Sequence, residues 1–204
     1  MGINQNVFNY EIDFLPVGNG EGSGDAIAMR WWSGKWSKDK QKVMVIDGGT
    51  KDSGQKLVAH IDKYYQADFI DYVVNTHPDQ DHASGLAVVL EELEVGELWM
   101  HRPWRYAKEI VDFVSDLENP FKIDGRITIN SLEKRFKEDC YPSAKVLEEI
   151  AESKRIEIKE PYAGAQIGGC FTVLSPTKDW HLFELIPNSK KNRCQLLQWR
   201  VICK

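Results

Sequence analysis

The sequence predicts an α/β fold in which a mixed sheet carries helices on one face. Three observations predict it. From residue 43 to 117, short apolar runs alternate with segments of helical spacing. Ahead of them, two strand-like segments flank Gly18 to Gly24, which holds four Gly in seven residues and reads as a hairpin turn. The length of 204 residues, with 42% apolar and 28% charged residues, suits one domain with a sizeable core.

Taken in order, residues 1 to 9 are a polar lead-in. Tyr10 to Val17 alternates in part and reads as a strand. Ala26 to Trp32 reads as its returning partner. The Gly-rich turn lacks a phosphate-binding Lys-Ser/Thr signature and precedes no helical pattern, which argues against a nucleotide loop. Ser33 to Lys42 is a polar connection, and its Lys residues read as a solvated loop rather than a nucleic-acid patch. Trp31, Trp32 and Trp36 read as core and rim packing.

Val43 to Ile46 is a continuous apolar run, hence a central strand, ended by Asp47-Gly48-Gly49. Asp52-Ser53 offers a helix cap, and the helix buries Leu57, Ile61 and Tyr64 or Tyr65. His60 falls in that helix as a surface or packing residue. Phe69 to Thr76 is the next strand. His77 to His82 reads as a loop at its end, because Pro78 disfavours both ladder and helix around it. Ser84 opens a helical pattern through Leu93. Val95 to Met100 is a further buried strand, followed by His101-Arg102-Pro103-Trp104. Tyr106 to Leu117 is helical by spacing. Ser131 to Ile150 is one long helix or two broken near Pro142. Ile156 to Ile158 and Phe171 to Leu174 read as strands joined by a turn holding Gly164, Gly168 and Gly169.

The segment 77–82 carries the chemistry. His77, Asp79, Asp81 and His82 place two of the chain's five His beside two Asp within six residues. Imidazole nitrogens and carboxylate oxygens suit zinc, manganese or iron. The bland reading is a polar turn, since Asp and Pro are ordinary turn residues; the density of ligands favours a metal site. Asp47 reads equally as a turn cap or as a group orienting a ligating His. His101 and Arg102, at a strand end, read evenly as cleft residues or as a surface turn.

The pattern His77-x-Asp79-x-Asp81-His82 resembles the signature loop of the metallo-β-lactamase-fold hydrolases, His-x-His-x-Asp-His, with Asp79 at the second His. That variant is similar to the hydrolase domains related to bacterial competence DNA-uptake proteins. Phe14-Leu15-Pro16-Val17-Gly18-Asn19-Gly20 and Gly24-Asp25-Ala26-Ile27 resemble that subgroup's opening strand and Gly-Asp-Ala turn. Val45-Ile46-Asp47-Gly48-Gly49 resembles the family's strand ending in Asp-Gly-Gly. The resemblance implies an αββα sandwich. It implies His77 and Asp79 on one divalent ion, and Asp81 and His82 on another. Asp81 would be catalytic, and Asp47 would lie close to the metals. Water activated by zinc or manganese would then attack a phosphodiester, ester or amide. Asp79 in place of an imidazole favours harder ions such as manganese. A basic residue such as Arg102 would meet the developing charge.

Relatives continue with a Gly-Asp motif and a later His, which nothing after His101 matches; His181 is the only later His. The chain therefore looks like the first half of the fold, residues 1–184, with an atypical basic tail at 185–204. That tail has no acidic residue but carries Lys190, Lys191, Arg193, Arg200 and Lys204. Truncation, frameshift or a partner chain that supplies the rest all fit. A partner or second copy would then cover an exposed sheet face. The net charge of −5 gives no general affinity for nucleic acid, so a nucleic-acid or small phosphodiester substrate would be bound locally. Cys140, Cys170, Cys194 and Cys203 show no close pairing. With no apolar run of membrane length and no signal-peptide layout, a cytoplasmic setting is expected. The competing expectation is a half-domain, weak or inactive, that binds metal or serves as an interaction module.

Overall fold

The computed structural model describes residues 8–18, 24–116 and 128–188. The atypical tail falls almost wholly outside the described residues. The chain forms two compact units, residues 1–101 with 146–160, and residues 102–145 with 161–204.

The first unit is built on a six-stranded sheet in sequence order. Strands β1 (Phe8–Phe14), β2 (Ala26–Ser33) and β3 (Lys42–Gly48) are antiparallel neighbours. Strands β4 (Phe69–Val74), β5 (Glu94–Trp99) and β6 (Glu157–Lys159) continue from β3 in parallel. The parallel half needs crossovers. Helices α1 (Lys51–His60) and α2 (Gln80–Glu92) supply two of them and pack side by side on the sheet. Val45, Val73 and Leu98, from the three adjoining strands, are fully buried. A mixed sheet carrying helices, the predicted α/β class, is the architecture.

Directly paired residues share a face of a sheet. On β1 the helix-bearing face takes the carboxylates. Glu11 pairs with Arg30 at 2.6 Å. Asp13 accepts from the Tyr65 hydroxyl at 2.6 Å and lies 3.0 Å from His60 Nε2. Burial alone would raise the pKa of Asp13; the Tyr65 and His60 hydrogen bonds outweigh it and hold the carboxyl below its ordinary value. The opposite face carries Tyr10, Ile12 and Phe14, which are 66%, 44% and 75% exposed.

Two helix boundaries differ from the sequence reading. Thr50, not Asp52 or Ser53, caps α1, its hydroxyl accepting from the Ser53 amide. Tyr65 rather than Tyr64 is the buried tyrosine, fully enclosed against 52% exposure for its neighbour. Helix α2 starts at Gln80, four residues before the predicted Ser84. Pro78 keeps only its own neighbourhood extended, and Asp79 sits at the N-cap with φ −70° and ψ 147°. Asp81 and His82 therefore stand in the first helical turn, not in a loop.

Three glycines explain how α1, α2 and the end of β3 approach each other. A Cβ built on Gly85 would lie 1.9 Å from the Gly48 carbonyl oxygen. One on Gly54 would lie 2.4 Å from the Gly85 oxygen, and one on Gly48 2.2 Å from the Leu86 nitrogen. Backbone meets backbone where any side chain would intervene.

The second unit is largely helical. A 3₁₀ turn at Pro103–Tyr106 leads into α3 (Ala107–Asp116). Helix α4 (Ile129–Arg135) opens on a capping box of Thr128 and Ser131 and continues through a π-type turn at Phe136–Cys140. The break near Pro142 is real. Pro142 begins α5 (Pro142–Lys154), the first helical position where its missing N–H costs nothing; from Val146 on this helix belongs to the first unit. Gly168 and Gly169, at φ +60° and +71°, close a short hairpin of β7 (Gln166–Ile167) and β8 (Phe171–Thr172). They do not link β6 to β8. A π-type turn at Trp180–Leu185 runs into α6 (Ile186–Asn188). His181 is buried here, 3.4 Å from the Tyr162 hydroxyl, and burial pushes its pKa down to about 4. Among the described residues, no helix is long and apolar enough to cross a membrane.

Candidate metal centre

The site assembles where strands end. The parallel pairing of β3 with β4 brings Asp47, next to the last residue of β3, beside the residues that follow β4. The start of β2, antiparallel to β3, lies at the same sheet edge, where Ala26 pairs with Gly48. Helix α2 then begins two residues after Pro78.

Asp47 is the hub. It is 1% exposed and its backbone sits at φ +54°, a left-handed conformation that Asp tolerates better than most residues. Its Oδ1 accepts from the Thr76 amide at 2.8 Å and from Asn75 Nδ2 at 3.4 Å. Its Oδ2 accepts from His82 Nδ1 at 2.9 Å and from the Thr76 hydroxyl. The carboxylate is thus supplied with four donors, as many as its lone pairs accommodate. Asn75 Nδ2 also donates to the His77 carbonyl at 2.8 Å, and the Asn75 amide donates to the Trp99 carbonyl at 2.8 Å, tying the turn to β5.

The His77 and His82 rings lie against each other, centroids 3.7 Å apart and planes tilted by 51°. His82 is buried and His77 the more exposed. One ligand atom each from Asp47, His77 and His82 lies within 4.8 Å of the others. The two imidazoles so gathered suit a divalent metal, with the Asp47 carboxylate beside them to orient one ring.

Of the residues singled out from the sequence, the structure thus brings Asp47, His77 and His82 together. Asp79 and Asp81 flank that trio and stand outside it. Asp79 occupies the α2 N-cap without its side chain capping the helix, and Asp81 is in the first turn. His101 follows β5 at the edge of the first unit; Arg102 is buried and opens the second unit.

Sequence reasoning misses Asn75 and Thr76, and names Asp25 only as part of the Gly-Asp-Ala turn. By sequence Asn75 and Thr76 read only as the end of a strand, although polar residues at the exit of a buried strand are a signal. Asp25 Oδ2 lies 3.9 Å from His82 Nδ1. Gly24 makes that approach possible, since a Cβ there would sit 1.8 Å from the Asp81 carbonyl oxygen and 2.9 Å from the His82 ring.

Comparison with known proteins agrees with this geometry. A search of curated proteins found no match. Residues 36–150, more than half of the chain, match the metallo-beta-lactamase superfamily. With the sheet, the strand-end histidines and this match together, the chain belongs to the metallo-beta-lactamase superfamily.

Proposed function

We propose that the chain is a hydrolase dependent on divalent metal, zinc or manganese, one ion or two, and that it cleaves phosphodiester or related ester bonds. The observation that carries the reading is the Asp47–His77–His82 constellation at the strand ends of a superfamily member. His77 and His82 would hold an ion through ring nitrogens, and Asp79 and Asp81 would add carboxylate oxygens. Asp47, its oxygens already occupied by donors of the turn, orients His82 rather than ligating. A bound ion would supply Lewis acidity and lower the pKa of a water at the site. Asp81 is assigned the catalytic role of accepting that water's proton at a carboxylate oxygen. His101 and Arg102 are proposed to face substrate from their place after β5. The likeness of the 77–82 pattern to the competence-related subgroup favours a phosphodiester in nucleic acid. A cytoplasmic setting and a metallo-β-lactamase-like domain over residues 1–184 complete the reading.

Metal content of the purified protein and hydrolysis of a generic phosphodiester with manganese or zinc added test it. Turnover that vanishes in Asp81→Ala supports it; a metal-free, inactive protein that gains nothing from added ions overturns it.

A second reading is a metal-binding or interaction module without turnover, with a partner or second copy on the sheet. The exposure of Tyr10, Ile12 and Phe14 on one sheet face favours it. Metal binding without hydrolysis, joined to self-association lost on changing those residues, would select it.

A further inference from the structure

Thr76 has no role in the reading above, yet it stands between the two groups that define the site. Its hydroxyl donates to Asp47 Oδ2, and its oxygen lies 3.0 Å from His77 Nδ1. A hydroxyl has one proton and two lone pairs. The carboxylate can only accept, so the proton is spent on Asp47. Towards His77 the Thr76 oxygen has only lone pairs to offer. His77 must therefore donate from Nδ1, which leaves the Nε2 lone pair as the ring's acceptor.

The same logic applies at His82, where Nδ1 donates directly to Asp47 at 2.9 Å. One buried carboxylate thus sets both rings, His82 by contact and His77 through a hydroxyl. The two lone pairs left over are both Nε2, on rings whose centroids are 3.7 Å apart. An imidazole binds metal through a deprotonated nitrogen, and the hydrogen bond at its other nitrogen decides which one that is.

We propose that Thr76 is a positioning residue. Its hydroxyl relays the Asp47 carboxylate to His77, fixes the Nδ1–H tautomer and presents Nε2 to the ion. The tautomer follows from hydrogen bonds alone; its consequence for ligation rests on the metal-site reading of the previous section. Simple packing does not account for Thr76, whose side chain is exposed while the carboxylate it meets is buried. Its amide also donates to Asp47 Oδ1 at 2.8 Å, so the backbone is anchored whether or not the hydroxyl is present.

The test is a readout of the proton itself. Long-range ¹H–¹⁵N correlation spectra of the metal-free protein, at a pH well above the ordinary imidazole value, report which nitrogen of each His carries hydrogen. The expected result is Nδ1–H at both His77 and His82. Thr76→Val should move His77 towards the Nε2–H form while leaving His82 unchanged; Thr76→Ser should keep the wild-type pattern. Calorimetric titration with Mn²⁺ and with Zn²⁺ should show roughly tenfold weaker binding for Thr76→Val, and Thr76→Ser close to wild type. An Nε2–H tautomer at His77 in the wild type overturns the proposal without need of any variant. So does a Thr76→Val protein whose His77 tautomer and metal affinity are unchanged. If the tautomers are as expected but the wild type binds neither ion, Thr76 keeps its assignment and the metal-site reading fails.

Discussion

At the scale of single residues, Asp47 shows what the site demands of the backbone. A non-glycine residue at positive φ costs free energy that the surrounding structure must offset. Here the offset is the set of four donors that its carboxylate collects from Asn75, Thr76 and His82. Asp47→Asn would put a donor where three N–H groups and a hydroxyl converge. Metal affinity, read by calorimetry, should fall about 10–100-fold, as it does when groups orienting a ligand are removed. His77→Ala removes a proposed ligand outright and should abolish tight binding; equal metal content in variant and wild type would return residues 77–82 to the status of a polar turn. A titrating residue lies in the other unit. His181 is held neutral by burial, with its folded pKa near 4 and an ordinary unfolded value of 6.5. Between those values the unfolded chain binds the extra proton, so stability is whole above about pH 6.5 and is lost as pH falls towards 4. Thermal melts across that window should show the loss, and His181→Gln should flatten it.

At the scale of elements, the sequence made the strands legible, pointed to Asp47, His77 and His82, which the structure brings together, and left the close approaches hidden. Val43 to Ile46 announced itself by continuous apolarity, and Phe69 to Val74 by an apolar run broken only at Asp71, as suits strands inside a sheet. The halt at Pro142 was legible from proline chemistry. The start of α2 was not, since nothing local says whether Gln80 to His82 continues a loop or begins a helix. The hydroxyl relay was hidden too, because Thr76 matters only once Asp47, 29 positions away, is folded beside it. The glycine contact is hidden for the same reason. Gly85 is far in sequence from Gly48 and Gly54, and each looks like an ordinary turn or weak helix residue. By propensity alone Gly85→Ala within α2 would gain about 1 kcal/mol. The structure predicts the opposite sign, because the new Cβ would sit 1.9 Å from the Gly48 carbonyl oxygen. Backbone must move, at a cost of about 1–3 kcal/mol or more. A denaturation midpoint above wild type would refute the contact. Its displacement of α2 should also separate His82 from Asp47 and weaken metal binding.

At the scale of the whole molecule, two surfaces of the first unit differ in chemistry. The sheet edge where β2 begins and β3 and β4 end carries the polar cluster. The face away from α1 and α2 presents Tyr10, Ile12 and Phe14 on the edge strand β1. Exposed apolar side chains on a free edge favour self-association. Ile12→Thr with Phe14→Ser should cost little stability, because both positions are already substantially exposed. Sedimentation at rising concentration should then show less association than wild type; unchanged behaviour would mean that this face is not the adhesive one.

The last expectation joins the site to the stability of the unit that bears it. Asp47 lies one residue before the end of β3, His77 follows β4 and His82 stands in the first turn of α2, so an ion held by the two histidines would add a tie between the end of β4 and the start of α2. A ligand that binds only the folded state stabilises it by mass action, about 2.7 kcal/mol at a hundredfold excess over Kd. For a chain of this size each kcal/mol moves the melting temperature by about 2–4 °C, so the shift should be about 5–10 °C. The shift should be reversed by chelator and should be absent in His77→Ala. Thr76→Val should show a smaller shift than wild type at the same ion concentration, because its affinity is lower while its fold is the same. A wild-type melting curve unmoved by manganese and by zinc, at concentrations that leave control carboxylate proteins unperturbed, would remove the metal from this site.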